Sequence, residues 1–462
     1  MTLPDELRER GAAGWWLERL DKELVARAAK LAEYDAYYRG DHKLAFASEK
    51  FRQAFGGLFR TFADNWCSLV VEAVEDRLNV EGFRLGEERE GDRDAWEIWQ
   101  RNQLDAESQI AHTEALIHGE AYALVWPGDD GPDITVEHPN QVIVAYAAGA
   151  RRERLAALKK WRDDDGLVKA NVYLRDAIYK FQTSSKQTGT ESGTDTTTSV
   201  AAWTVREVDG EQWPLPNPLG EVPVVALRNR PRLLGPCESE IARVIPIQNA
   251  VNKTVADMLV ASEYGAFRQR YAIGLELDED EETGEKKEPF RAAIDRLWVA
   301  EDKDARFGEF SQTDLQTFVQ AIEMLVQHIA SQTRTPPHYF YLRGQFPSGE
   351  SIKSAETGLV RKTIRKTRHF GEAWEDVMRM AFLASGDEAK ARAAVRAETI
   401  WADPETRSES ELMDSLVKMQ ALGVPNDALW ARAGASPTEI ARWRAQGADP
   451  APQPTKEDGP DG

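Results

Sequence analysis

Six apolar residues, Leu315, Phe318, Ile322, Leu325, Val326 and Ile329, recur at helical spacing between positions 314 and 333. Steps of three and four put them on one side of a helix about 30 Å long. Pro336-Pro337 ends it. A second helical pattern runs from 239 to about 262, with Ile241, Ile245, Val251, Val255, Met258 and Leu259 mostly on one side, and Pro246 should kink it or mark a break. Between the two, positions 267–310 read as short strands around the acidic turn Asp278, Glu279, Asp280, Glu281 and Glu282, with a short helix at 289–296. Two one-sided rods flanking a small excursion are the strongest constraint on the fold, because each stripe must be covered.

After Pro337 a short aromatic run ends at Gly344, a loop rich in Gly, Pro and Ser follows, and a helix runs to about 384. Gly344 and Gly349 have the spacing of a phosphate-binding loop, but Glu350 stands where that motif needs lysine. A fixed negative charge there repels a phosphate. The stretch therefore reads as a loop whose Ser348 or Ser351 caps the next helix. On that helix Arg361, Arg365 and Arg368 share one face, and Lys362, Lys366 and His369 another. Such a run is usually solvated or paired with acidic partners, in this chain or a neighbouring subunit; direct contact with DNA is the rival reading.

The rest of the chain mixes helices and strands. Helices are expected at 15–38, stopped by Gly40, and at 62–78, 92–103 and 106–119. Strands follow at 120–126, 134–137 and 141–146, then at 167–174, 177–182, 203–208 and 223–227, around a Thr-, Ser- and Gly-rich insert at 183–199 that reads as an exposed mobile loop. A strand at 399–403 and three short helices close the fold, two of them opened by the capping boxes Ser408 to Glu411 and Ser436 to Glu439. The tail 447–462 reads as disordered.

With 462 residues and 14 tryptophans the chain can build substantial cores. Its net charge of -20 disfavours tight non-specific DNA binding, which comes from Lys and Arg releasing counterions. It does not oppose a protein past which DNA must slide. Cys67 and Cys237 form no CxxC, which excludes a disulfide scaffold and a cysteine zinc site. The first residues lack the apolar core of a signal peptide, and no apolar run has the length of a membrane span. None of the seven histidines forms HExxH or a tight ligand cluster, and GxSxG and GxGxxG are absent. No catalytic, cofactor-binding or metal-ligating residue is assigned.

The order of several short segments resembles the portal proteins of long-tailed double-stranded-DNA bacteriophages. These segments are Tyr34-Asp-Ala-Tyr-Tyr-Arg-Gly-Asp-His42, Asn65 with Val70-Val71, Leu78-Asn-Val-Glu-Gly-Phe83, His118-Gly-Glu-Ala-Tyr122, Pro347-Ser-Gly-Glu-Ser351 and Trp401-Ala-Asp-Pro-Glu-Thr406, with the two rods between. The resemblance implies an α+β, mainly helical portal fold with wing, stem, clip and crown, assembled as a ring of twelve. Its implied parts are an N-terminal wing (1–237), a stem helix (238–262), a clip (263–312), a second stem helix (313–337), a tunnel loop (338–352), a wing helix and strand (353–405) and crown helices (406–446).

It further implies a channel at one capsid vertex through which terminase drives double-stranded DNA without sequence readout. Arg343, Gln345, Phe346, Ser348, Ser351 and Lys353 would lie near DNA, and the acidic turn 278–282 would dock the terminase large subunit and then the head-completion adaptor. Ile245, Val251, Leu315, Phe318, Ile322, Leu325 and Ile329 would pack between subunits. Major capsid and scaffolding proteins would be further partners. The protein would be assembled in the host bacterial cytoplasm and reside in the virion, with no membrane and no cofactor. A packaging ATPase or nuclease, and another capsid assembly protein, are the alternatives.

Overall fold

The computed structural model describes residues 3–42, 64–86, 91–183, 203–266, 270–273, 306–309, 314–340, 349–405 and 409–446. The insert at 184–199, the acidic turn 278–282, the expected helix 289–296, the loop centre 341–348 and the tail 447–462 lie outside the described residues. Inside them the chain is a mixture of helix and sheet, as the α+β reading requires.

Two helices open it, α1 (Asp5–Arg8) and α2 (Ala13–Arg39), and Gly40 at φ +77 closes the second. The next helix, α3 (Cys67–Glu75), is shorter than its apolar pattern suggests, and strand β1 (Val80–Arg84) follows it. Helix α4 (Arg93–Arg101) is capped by Asp92, whose carboxylate accepts from the Ala95 amide at 2.7 Å. Helix α5 (Leu104–His118) ends at Gly119, with φ +95. A Cβ there would meet the Cys237 carbonyl oxygen at 3.0 Å, so the turn into the sheet needs glycine.

Strands β2 (Glu120–Gly128), β3 (Gly131–Glu137), β4 (Val142–Ala147), β5 (Ala150–Arg162), β6 (Val168–Tyr173), β7 (Ala177–Thr183), β8 (Trp203–Val205), β9 (Leu215–Pro216) and β10 (Val224–Arg228) make two antiparallel sheets. One has the order β10-β2-β3; the other runs β4-β5-β6-β7-β8, with β9 on β7. Residue alternation assigns the second sheet's two faces. Ile143, Ala156, Leu158, Val172 and Phe181 join Trp16, Leu17, Leu20 and Leu24 of α2 in one core. Val142, Val144, Ala157, Tyr173 and Ile178 join Tyr122, Leu124 and Val224 of the smaller sheet in another.

Helix α6 (Ile245–Ala266) starts six residues later than its periodicity suggests. Pro246 is its second residue, where a missing amide hydrogen costs no intrahelical bond, so the proline marks the start rather than a kink. Strands β11 (Arg270–Ile273) and β12 (Arg306–Glu309) pair antiparallel, Arg270 opposite Glu309. Then come α7 (Leu315–Thr333), a 3-10 turn (Pro337–Phe340), α8 (Gly349–Ala384), α9 (Glu388–Ala394) and β13 (Glu398–Trp401), which pairs with β1. The last helices are α10 (Glu409–Ala421), α11 (Asn426–Arg432) and α12 (Pro437–Ala445), the last opened by the Ser436–Glu439 capping box.

The chain divides into two compact units, 1–43 with 63–248 and 328–462, and 44–62 with 249–327. The larger holds both sheets and α8, whose Phe370, Trp374, Val377, Met378 and Ala381 are buried. Trp374 Nε1 donates to His112 Nε2 at 2.9 Å, and burial pushes the His112 imidazole down to about 3. The smaller holds most of α6 and α7 and the β11–β12 pair.

Candidate functional site

One group of polar contacts in the larger unit sits where the chain enters and leaves 341–348. On the entry side, Phe340 is buried, its ring centroid 5.5 Å from that of Trp66. Arg77 Nη2 donates to the Tyr339 hydroxyl at 2.7 Å. On the exit side, Glu356 of α8 lies 3.5 Å from Arg77 and 3.5 Å from His338. One arginine therefore touches both flanks, and the carboxylate that meets it also meets the 3-10 turn.

Two turns further along α8 sits a buried charge cluster. Glu240 has no exposed side-chain surface. Its carboxylate accepts from Arg230 Nε and Nη2 at 2.7 and 2.8 Å, and meets Lys362 Nζ at 2.9 Å and Lys366 Nζ at 2.5 Å. Lys362 also donates to the Thr333 carbonyl at 3.1 Å, placing a cation at the C-terminal end of α7. Lys366 also donates to Asn229 Oδ1. Burial alone would raise the Glu240 carboxyl, but Lys362, Lys366 and Arg230 hold it well below the usual carboxylate range. Burial pushes Lys366 down to about 8 against the opposing pull of Glu240. Three cations thus share one carboxylate.

A family model described as "Phage portal protein, SPP1 Gp6-like" matches residues 17–453. This chain belongs to that portal family. It is 30% identical to the portal protein of Mycobacterium phage D29 over 363 residues, covering 77% of this chain and 72% of the relative. It is 30% identical to that of Mycobacterium phage L5 over 373 residues, at the same coverage. Similar solved structures include the virion of a native gene transfer agent particle (TM-score 0.42, 11% identity, covering 83% of this chain and 89% of that one). Another is the neck of the native particle computed with C12 symmetry (TM-score 0.43, 12% identity, the same coverage).

The family assignment bears out the resemblance, and the structure sorts the expected portal sites. Arg343, Gln345, Phe346 and Ser348 lie outside the described residues, as do 278–282. Ser351 and Lys353 are exposed on the first turns of α8. Ser351 is thus inside the helix rather than its cap, because the helix already starts at Gly349. The expected basic face divides in two. Arg361, Arg365 and Arg368 are exposed, whereas Lys362 and Lys366 are buried on Glu240. The reason is in the pattern: the lysines fall on the stripe Leu359, Lys362, Lys366, Phe370, Trp374, Val377, and the arginines fall off it.

The expected stem stripe divides as well. Val251, Ile322 and Ile329 are already buried in the single chain, so they need no neighbouring copy to cover them. Ile245, Leu315, Phe318 and Leu325 are half-buried and keep surface available to one.

Sequence reasoning missed Arg77, Arg230 and Glu240. It also expected no tight histidine cluster, yet the fold brings Glu114, His118 and His138 together. The Glu114–His118 spacing of four on α5 was a signal; His138 arrives only through the fold. Among the described residues no helix is long and apolar enough to cross a membrane.

Proposed function

We propose that this portal protein works as a ring of twelve copies forming a channel at one capsid vertex, with no catalysis of its own. Double-stranded DNA enters under terminase and later leaves through the same hole. In this reading 1–237 is the wing, 238–262 and 313–337 the stem helices, 263–312 the clip that docks terminase and then the head-completion adaptor, 338–352 the tunnel loop and 406–446 the crown. Capsid and scaffolding proteins surround it during assembly in the host cytoplasm.

The observation that carries the reading is the family match across 17–453. The mount around 341–348 supports it. A loop that meets moving DNA delivers its load to its flanks, and here these are held by Arg77, Glu356 and the Glu240 cluster. The net charge of -20 suits a conduit whose cargo must not stick.

Negative-stain images of the purified chain test the ring directly: gear-shaped particles with an axial hole are expected, and compact single-chain particles under every assembly condition reject it. Replacing 345–349 should spare ring assembly and stop packaging; normal packaging by that variant rejects the tunnel-loop assignment. Nucleotide hydrolysis by the purified chain alone would favour the packaging-enzyme alternative.

A further inference from the structure

Glu114 and His118 are four residues apart on α5 and share a face. His138 directly follows β3. Glu114 Oε2 stands 3.1 Å from His118 Nε2 and 3.2 Å from His138 Nε2, and the two ring nitrogens are 3.2 Å apart. The triangle is nearly equilateral. Donors about 2.1 Å from a divalent ion lie about 3.0 Å apart at adjacent octahedral corners and about 3.4 Å apart in a tetrahedron. All three edges fall between these limits. We propose that Glu114, His118 and His138 form a binding site for a divalent metal ion of the zinc class.

The donor chemistry agrees. Burial pushes the His118 imidazole down, keeping it neutral at neutral pH. Two imidazoles and a carboxylate are an established donor set for such ions.

A second observation points into the same triangle. Glu114 Oε2 is buried and receives no well-directed hydrogen bond, although two ring nitrogens stand within 3.2 Å. A buried carboxylate oxygen without a donor is costly, and a cation at the centre satisfies it. The ion has a way in: His118 is 1% exposed and forms the floor, while Glu114 and His138 are 28% and 35% exposed. Glu72 and Glu75, which with Glu114 surround the Tyr38 hydroxyl, add negative charge nearby. Arg27, the cation that His118 feels, is tied to Glu120 at 2.6 Å.

Loading requires one rearrangement. The Asn140 amide donates to His138 Nδ1 at 3.0 Å, which leaves that ring's proton on Nε2. Ligation through Nε2 moves the proton to Nδ1 and opens the Asn140 contact. His118 Nδ1 is buried without a hydrogen-bond partner. The site thus lacks the outer-shell acceptors that strengthen metal-bound imidazoles, each worth about 10–100-fold in affinity. It suits a structural ion that fastens the turn after β3 to α5.

The test is calorimetric titration of the full chain, freed of metal by chelator and dialysis, with zinc chloride. One ion per chain is expected, with a thermal unfolding midpoint raised by a few degrees. Zinc-edge X-ray absorption should count two imidazoles. His138→Ala, at the exposed rim, should weaken zinc binding at least tenfold and abolish the zinc-dependent shift while leaving the metal-free midpoint nearly unchanged. Glu114→Gln should do the same and carries the test if the first variant fails to fold. No binding up to about 1 mM zinc, or binding that both variants leave intact, overturns the site.

Discussion

Two buried lysine sites in the larger unit are built on opposite principles. Between α2 and β5, Lys160 Nζ meets Asp21 Oδ1 at 2.5 Å, with both side chains almost fully enclosed. Among the described residues that carboxylate carries one cation. Near the flanks of 341–348, Lys362, Lys366 and Arg230 crowd the single carboxylate of Glu240. The first site is a balanced pair in the middle of a core. The second keeps an excess of positive charge where α7, α8 and the strand exit after β10 converge. A balanced pair depends equally on both members. An overloaded carboxylate is indispensable, while each of its cations is replaceable. The difference teaches that burial by itself does not say what a lysine does; the number of cations sharing its carboxylate does.

The largest expected effect is loss of the shared anion. Glu240→Gln strands three cations and should cost at least the 3–5 kcal/mol typical of breaking a buried ion pair. The contrasting substitutions sharpen this. Lys160→Met leaves Asp21 buried without that lysine and should cost about 3–5 kcal/mol, whereas Lys366→Met leaves Glu240 with Lys362 and Arg230 and should cost under about 1 kcal/mol. Urea denaturation of the three variants gives the comparison. Equal losses for the two lysine variants would break it.

A smaller effect is expected in the pH dependence of the overloaded site. Lys366 titrates near 8 in the folded chain and near its ordinary 10.5 when unfolded. The unfolded state binds more protons between those values, so this group's cost to stability is relieved as pH rises from about 8 to about 10.5. Glu240 also makes stability rise with pH, but in the acid range and as a gain: its stabilisation is full above the ordinary carboxyl range and is lost as pH falls through its depressed folded value. The wild type should therefore gain on the order of 1–3 kcal/mol relative to Lys366→Met between pH 7.5 and 10. A flat difference between the two denaturation profiles would show that Lys366 keeps its ordinary affinity for the proton in the folded chain.

How much of this was legible beforehand depends on whether the signal was local. Helices α2, α7 and α8 announce themselves by stripes of three and four, and Pro246 was correctly a boundary signal. Strand β5 was hidden, because Arg151, Arg152, Glu153 and Lys159 break the apolar alternation that its buried Ala156, Ala157 and Leu158 would otherwise display. Glu240 was invisible: it fell inside the expected helical pattern from 239, whereas it lies in the turns before α6, and nothing in that pattern pointed to its cations. Lys362 and Lys366 were half legible: their place on the stripe of Leu359 and Phe370 could have shown burial, but not the partner. His138 is 20 residues from His118, and only the β2–β3 hairpin closes that gap.

The smallest expected effect on stability belongs to the other face of the same helix, and it sharpens the contrast most. Arg361, Arg365 and Arg368 interleave with the buried lysines but project away from the core. Exposed charges of this kind contribute little to folding, so replacing all three by Ala should shift stability by about 1 kcal/mol or less. Their positive charge remains available to DNA phosphates or to an acidic patch on a neighbouring subunit, and the two roles separate experimentally. If they face a neighbour, the triple variant weakens ring assembly in proportion to salt, seen by sedimentation. If they face the channel, rings form normally and packaging slows. A variant that assembles and packages like the wild type would mean these arginines are simply solvated, and the functional charge on α8 would then be confined to its buried lysines.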